Sequence, residues 1–413
     1  MKPFELDFPK TALDSWRNRI IKELKEDEHK IFFTDPIEEI SFDISTRNKE
    51  VNVIGASKKN NAWMNSCPIL VSDEKAANQL ALKMLMQGCD ALYFMANDKA
   101  EIQWEVLFNE IGLDYIQVCF SSSNESLIDS FLASEFGKHT NAHALIDVQT
   151  TNWNKYNGNS AVYFSVNVFA WQMCGANLFQ QVGIALSIGH ELLVQNVEPE
   201  QIIFEFGVGS QYFPEIAKLK AFHSLWVLIS TKYGVTSPQK VLAHIGWANK
   251  SLKDPHTNLL RQTTEVMSAI GGSCDALVIH PYDALSQEGS SDFTHRMAAN
   301  ISNLLKEESY FDKVIDPMRG SYSVENCTQV IKEKAYSYFK ELDAFQIIMN
   351  PEKLAFISKG VLEKQAAKID RWKKGEHKLI GINLFTTENE QPKTWKTDLN
   401  YLNVPFLIYE LQA

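Results

Sequence analysis

The chain has 413 residues and a mass of 47.0 kDa, is 45% hydrophobic and 22% charged, and carries a formal net charge of −11. That length buries a large core, as one domain with appendages or as two to three smaller ones, and a mean hydropathy of −0.21 is ordinary for a globular protein. The acidic balance argues against nucleic acid or an anionic membrane as partner, because both need a basic footprint. Six cysteines (Cys67, Cys89, Cys119, Cys174, Cys274, Cys327) are scattered with no CxxC, which predicts buried thiols in a reducing cytoplasm. The N-terminal MKPFELDFPKTALDSW lacks a signal-peptide core, and no run reaches transmembrane length, so a cytoplasmic location is expected.

Residues 1–45 read as an arm. Thr11 to Lys25 has Leu13, Trp16, Ile20 and Leu24 on one helical stripe, and Lys25 to Lys30 is a solvated charge run. Such a stripe has to lie on its own barrel or on another subunit. From Ser66 onward short apolar runs recur: CPILV (67–71), ALYFMA (91–96), YIQVCF (115–120), ALIDVQ (144–149), VYFSVNV (162–168), IIFEFG (202–207), VLAHIG (241–246) and DALVIH (275–280). Helical patterns fill most intervals, as in Asp73 to Met86, Glu125 to Phe136, Leu178 to Val194 and Glu215 to Ile229. Strands that are apolar on both faces and alternate with helices predict an α/β fold, a (β/α)8 TIM barrel over residues 46–345. The interval TTNWNKYNGN is too short for a crossover helix and is expected to be irregular.

Asp254-Pro255 predicts a helix start and Gly271-Gly272 its end, while Pro214 suits a first helical turn. Residues 346–413 form a C-terminal extension: a helix through Leu362 to Trp372, an apolar strand LIGINLF (379–385), a polar loop, and YLNVPFLIYELQA. Its large apolar residues predict order.

Barrel chemistry sits where strands end. Asn167, Glu205, His244 and His280 are the polar residues at the expected mouth; structural readings stand beside them, with His280 satisfying a turn, Glu205 facing the interior or pairing with a lysine, and His244 packed in the core. GVGSQ (207–211) ahead of a helix could cradle an anion on its amides. His139 and His143 are spaced as HxxxH but fall between a helix and a strand, and His190 and His223 have no ligand-like partner, so no metal site is expected. At the end of the fifth strand stand Phe169, Ala170 and Trp171, none of them an acid or base.

Several motifs in order resemble the barrel of the methylmalonyl-CoA mutase family: EIAKLKAFHSLW (215–226), DP…N…RQTTEVMSAIGG (254–272), DFTHRMAANISNLLKEES (292–309) and DPMRGSYSVEN (316–326). KQAAKIDRW…LIGINLF (364–385) resembles the segment after that barrel, and FPKTALDSWRNRIIKELK (8–25) is similar to the arm of the family's small-subunit branch. The resemblance implies radical rearrangement of an acyl-CoA with adenosylcobalamin, in an enzyme whose barrel encloses the CoA chain. In catalytic members a tyrosine-histidine pair ends the fifth strand and the histidine steadies the thioester carbonyl. Counted from Gly175-Ala176, those positions are Phe169 and Ala170 here. Losing such a donor costs about 2.7–4 kcal/mol in barrier height.

Family polar residues of the seventh strand fall on Val241 and Ala243, and Arg319 stands where the family has glycine. The D-x-H-x-x-G cobalamin signature has its nearest counterpart in Asp254-Pro255-His256-Thr257-Asn258-Leu259, which lacks the glycine, and no cobalamin-binding domain is expected after LIGINLF. The resemblance therefore implies a small, non-catalytic subunit with no cofactor of its own. Its partner would be the catalytic large subunit, in a heterodimer, with adenosylcobalamin held by that subunit and methylmalonyl-CoA and succinyl-CoA interconverted there. The alternative is a competent acyl-CoA mutase barrel acting with a separate cobalamin-domain protein, which needs another donor such as Gln172 or His244. An unrelated barrel enzyme using Glu205 and His280 as a base pair is a third reading.

Overall fold

The computed structural model describes residues 12–24, 32–43, 60–96, 99–235, 239–348, 350–386, 394–396 and 399–412. The chain opens with α1 (Leu13–Leu24) and an antiparallel hairpin of β1 (Phe32–Asp35) and β2 (Ile40–Asp43). Eight strands follow: β3 (Met64–Leu70), β4 (Ala91–Met95), β5 (Gln117–Ser121), β6 (Ala142–Asp147), β7 (Val162–Asn167), β8 (Ile202–Val208), β9 (Lys240–Ile245) and β10 (Ala276–Ile279). They close into one barrel in sequence order, every neighbouring pair parallel. The helices are α2 (Glu74–Met86), α3 (Trp104–Leu107), α4 (Glu125–Ala133), α5 (Val168–Met173), α6 (Leu178–Val194), α7 (Tyr212–Ser230), α8 (Thr257–Gly271), α9 (Asp292–Asn303), α10 (Tyr322–Asp343) and α11 (Pro351–Lys373). The (β/α)8 barrel read from the sequence is the fold of the chain.

Alternation along each strand sorts side chains into two layers. Phe94, Phe120, Phe164, Phe204, Phe206, Val241 and Ala243 point to the helices and join the outer core, where full burial of each large apolar side chain contributes about 1.5–3 kcal/mol. Tyr93, Leu145, Ile203, Leu242, Ala276 and Val278 face inward and pack against Met95, Cys119 and Tyr163. The lumen is therefore filled by side chains. This layering also corrects the seventh-strand register: Leu242 faces the bore, while Val241 and Ala243 lie on the helix side.

Between β6 and β7 runs a single short turn of 3-10 helix, Trp153–Tyr156, as the short interval required. Three local readings change. LIGINLF is a tight turn with one bridge between Ile380 and Leu384, because Asn383 Oδ1 accepts from the Leu379 amide and Gly381 takes φ +79°. Asp254 does not cap α8 directly: its carboxylate accepts from the Thr257 hydroxyl, and the helix begins two residues after Pro255. The strand end at Asn167 turns at once into α5, so Phe169 and Ala170 occupy a helical first turn.

On α1, Trp16 is 42% exposed and Ile20 is half-buried, so this part of the stripe is not covered by the barrel. The side chains of Leu13 and Leu24 and the charge run at 25–30 lie outside the described residues. The hairpin is docked: Glu38 accepts from the Leu178 amide at the start of α6 and meets Lys368 at 3.1 Å, and Arg371 meets Asp35 at 3.2 Å.

The last residues cross the barrel mouth. The Leu407 amide donates to the Met173 carbonyl at 2.6 Å and the Tyr409 amide to Ala248 at 2.9 Å. The buried Glu410 carboxylate accepts from the Leu252 amide (2.8 Å), the Ser251 hydroxyl (3.0 Å) and the Trp395 indole (2.7 Å). Glu410→Ala strands those donors and is expected to lower unfolding stability by about 2–3 kcal/mol in urea titration, without loss of the barrel's far-ultraviolet spectrum.

Candidate functional site at the barrel mouth

Glu205 on β8 and His244 on β9 face the bore near the C-terminal ends of their strands, which finish at Val208 and Ile245. His244 Nε2 lies 2.7 Å from Glu205 Oε2, and both side chains are buried. Tyr93 donates its hydroxyl to the same carboxylate at 3.0 Å, and Ser165 donates to its other oxygen. Burial would raise the Glu205 pKa, but His244, Ser165 and Tyr93 together hold it below the usual carboxylate value. The Tyr93 phenol is pushed far up, first by burial and then by the Glu205 charge.

His244 Nδ1 is 3.2 Å from His280 Nε2. Burial, followed by the neighbouring His244, keeps His280 well below the ordinary imidazole value and hence neutral. The structure thus brings Glu205, His244 and His280 into one chain, with His244 in the middle and no direct pairing of Glu205 with His280. Phe169 closes it: its ring stacks on His244 at 4.6 Å and on His280 at 5.6 Å, the planes within about 12°. Trp247 packs on His280 at 4.5 Å and joins Met173, Leu252, Trp395 and Ile408 in an apolar roof.

Asn167 is a cap. Its side chain accepts from the Ala170 amide at 3.0 Å and donates to Asp147 at 3.3 Å. Ala170 is buried in the helical turn that this cap starts. Gln172 points the other way, over two close glycines; a Cβ at Gly207 would stand 2.6 Å from its Oε1. That oxygen is buried without a hydrogen-bond partner and faces a cavity of about 100 Å³ bordered by Gly209, Gln211, Gly246 and Tyr409. In GVGSQ the Gly209 amide donates to Glu215 of the same chain at 2.9 Å, so this amide is already engaged.

Sequence reasoning missed Asp147 and Tyr401. Tyr401, from the tail, donates to Asp147 at 2.8 Å and lies edge-on to Trp171 at 5.4 Å. Burial lifts the Asp147 pKa to about 7 against the hydrogen bonds from Gln149, Tyr401 and Asn167. Its signal was present as the acid within the ALIDVQ run, but its partner lies 254 residues away.

The metal expectations can be checked by place. His139 pairs with Asp114 and His143 stacks under Tyr163 at 4.0 Å. Among the described residues there is no cluster of three or more metal-ligating side chains. His256 is exposed at the start of α8 and Asp254 is held by Thr257, so this string does not fit a cobalt-ligating role. No described helix is long and apolar enough to cross a membrane.

The profile of the methylmalonyl-CoA mutase family matches residues 91–403. The chain belongs to that family. A methylmalonyl-CoA mutase small subunit from Porphyromonas gingivalis is 30% identical over 82% of this chain and 63% of its own length. A methylmalonyl-CoA mutase from Rhizobium meliloti is 30% identical over 55% of this chain and 34% of its own. A methylmalonyl-CoA mutase large subunit from Propionibacterium freudenreichii subsp. shermanii is 30% identical over 46% and 27%. The chain spans less than two thirds of each of these relatives.

Glu205 and Asp147 at the mouth predict opposite pH behaviour. For Glu205, whose folded pKa is depressed, Glu205→Gln is expected to cost about 1–3 kcal/mol at pH 7. That cost fades as pH falls below the unfolded value of about 4.3. For Asp147, whose folded pKa is raised, the wild type loses stability relative to Asp147→Asn as pH climbs from about 4 to 7. Urea midpoints at several pH values check both.

Proposed function

We propose that this chain is the small, non-catalytic subunit of a heteromeric, adenosylcobalamin-dependent methylmalonyl-CoA mutase. The interconversion of methylmalonyl-CoA and succinyl-CoA is carried by a large-subunit partner that holds the cofactor. We take residues 1–45 as the arm, 46–345 as the barrel and 346–413 as an extension folded over the mouth. The observation that carries this reading is the exit of β7. Where the family's resemblance places a hydrogen-bond donor for the thioester, there is the methyl of Ala170, and Phe169 is stacked onto His244, an alternative donor, and onto His280. A methyl stabilises no developing charge on a carbonyl oxygen.

The filled lumen and the roof of Trp247, Trp395 and Ile408 support the same reading, because an acyl chain threading the bore would have to displace both. The names small and large subunit borne by two relatives support a pairing of chains. The uncovered part of the α1 stripe supports an arm that reaches the partner.

One observation favours the second reading, a competent barrel served by a separate cobalamin-domain protein. Gln172 borders the mouth-side cavity. The NH2 of its carboxamide, not the unpartnered oxygen, is the donor that reading requires.

Co-expression with a family large subunit should give a 1:1 complex at micromolar concentration, and chains that elute separately would remove the partner role. Turnover of methylmalonyl-CoA by this chain with a cobalamin-domain protein, and without another barrel, would favour the second reading. Trp16→Glu with Ile20→Glu is expected to weaken the complex more than tenfold in sedimentation while leaving the melting temperature of this chain unchanged. An unchanged affinity would place the contact elsewhere.

A further inference from the structure

No full helix covers the barrel between β6 and β7, where the interval TTNWNKYNGN (150–159) carries only the short 3-10 turn. Beside that loop lies a cavity of about 280 Å³, closed on its other sides by the C-terminal end of α6 and by residues 346–348 between α10 and α11. Asn157 ties the loop to α6 by donating its side-chain amide to the Gln195 carbonyl at 3.3 Å. The volume falls just under the range of about 300–1,000 Å³ of drug-sized sites, which suits a single sugar-sized ring.

The floor of the cavity is buried and carries two orphaned oxygens. Thr151, Trp153, Glu191 and Ile348 form it, with Trp153 fixed edge-on to Phe164 at 5.8 Å. Thr151 Oγ1 and Glu191 Oε2 have no hydrogen-bond partner, on residues only 8% and 5% exposed. A buried oxygen left unpaired is costly, so each marks a place for a donor from outside the chain. The other Glu191 oxygen meets Lys353 Nζ at 2.5 Å, which compensates the charge, and no second charged side chain lines the cavity. The rim is formed by the exposed Asn152, Asn154, Gln195 and Gln346, whose carboxamides make no hydrogen bond among the described residues.

We propose that this cavity binds an uncharged polyhydroxylated ring, a monosaccharide or a cyclitol, whose hydroxyls donate to Thr151 Oγ1 and Glu191 Oε2 and exchange hydrogen bonds with the carboxamides of the rim. A compensated charge gives an ionic ligand no advantage. An apolar ligand would leave both floor oxygens unpaired and strip water from the rim amides without replacing it. Hydroxyls donate and accept on one atom, so they match the acceptors of the floor and the mixed donors and acceptors of the carboxamides. The site is separate from the mouth and does not rest on the partner-subunit reading.

The test is calorimetric titration of the full chain with D-glucose, D-galactose, D-mannose and myo-inositol. Cyclohexanol removes all hydroxyls but one, and glucosamine and glucuronate add a charge of either sign. At least one of the four neutral polyols should bind with a Kd below about 1 mM, cyclohexanol should not bind, and the charged analogues should bind no tighter. Thr151→Val, which keeps the shape and removes the hydroxyl, should weaken binding about tenfold, and so should Gln195→Ala with Gln346→Ala. The glutamine pair is exposed, so it decides the matter if Thr151→Val fails to fold; unchanged melting temperatures identify folded variants. Absence of saturation by all four polyols up to about 10 mM would overturn the proposal and leave the floor oxygens to water. Cyclohexanol or glucosamine binding as tightly as the best polyol, or polyol binding untouched in the folded variants, would overturn it too.

Discussion

The stack of Phe169 on His244, above the Glu205 carboxylate, is the contact on which the mouth of this barrel depends. A carboxylate in a packed lumen is costly unless it is paired and hydrogen-bonded. Glu205 meets that demand with His244, Ser165 and Tyr93, all supplied by neighbouring or facing strands. His280 extends the chain and stays neutral, and Phe169 covers both imidazoles. Polar residues that could serve chemistry in an open barrel here saturate one another in a closed one.

The tail completes the closure. Leu407 and Tyr409 hydrogen-bond to backbone at the ends of α5 and of the loop after β9, and Glu410 gathers donors from Ser251, Leu252 and Trp395. Tyr401 reaches Asp147 at the exit of β6. These bonds tie the extension to the same strand ends from which a (β/α)8 enzyme builds its site. Membership of the methylmalonyl-CoA mutase family and a mouth crossed by its own tail are compatible with the proposed non-catalytic role.

Much of this was legible in the residues. The apolar runs from CPILV to DALVIH announced the strands because a parallel sheet buried on both faces leaves no polar positions to blur them. Asn167, Glu205, His244 and His280 could be placed at the mouth from their positions in those runs. What they do there could not. Whether Glu205 points into the bore depends on barrel closure, and the cap made by Asn167 appears only once β7 turns directly into α5. The large apolar residues of the tail predict its order, but the apolar pattern of LIGINLF predicts a strand because it hides the Asn383 turn. Asp147 went unnoticed because its partner Tyr401 comes from the far end of the chain. The same holds for the cavity lined by Thr151, Glu191 and Gln346, drawn from three separate segments.

The closed mouth is tested most directly by hydrogen exchange at the backbone amides of Leu407 and Tyr409, with and without saturating propionyl-CoA. A barrel sealed by its own tail and aromatic stack predicts slow exchange at both amides, unchanged by the thioester. Rapid exchange without ligand, or protection that changes when propionyl-CoA is added, would show a mouth that opens to acyl-CoA and would contradict the reading of this chain as a silent companion.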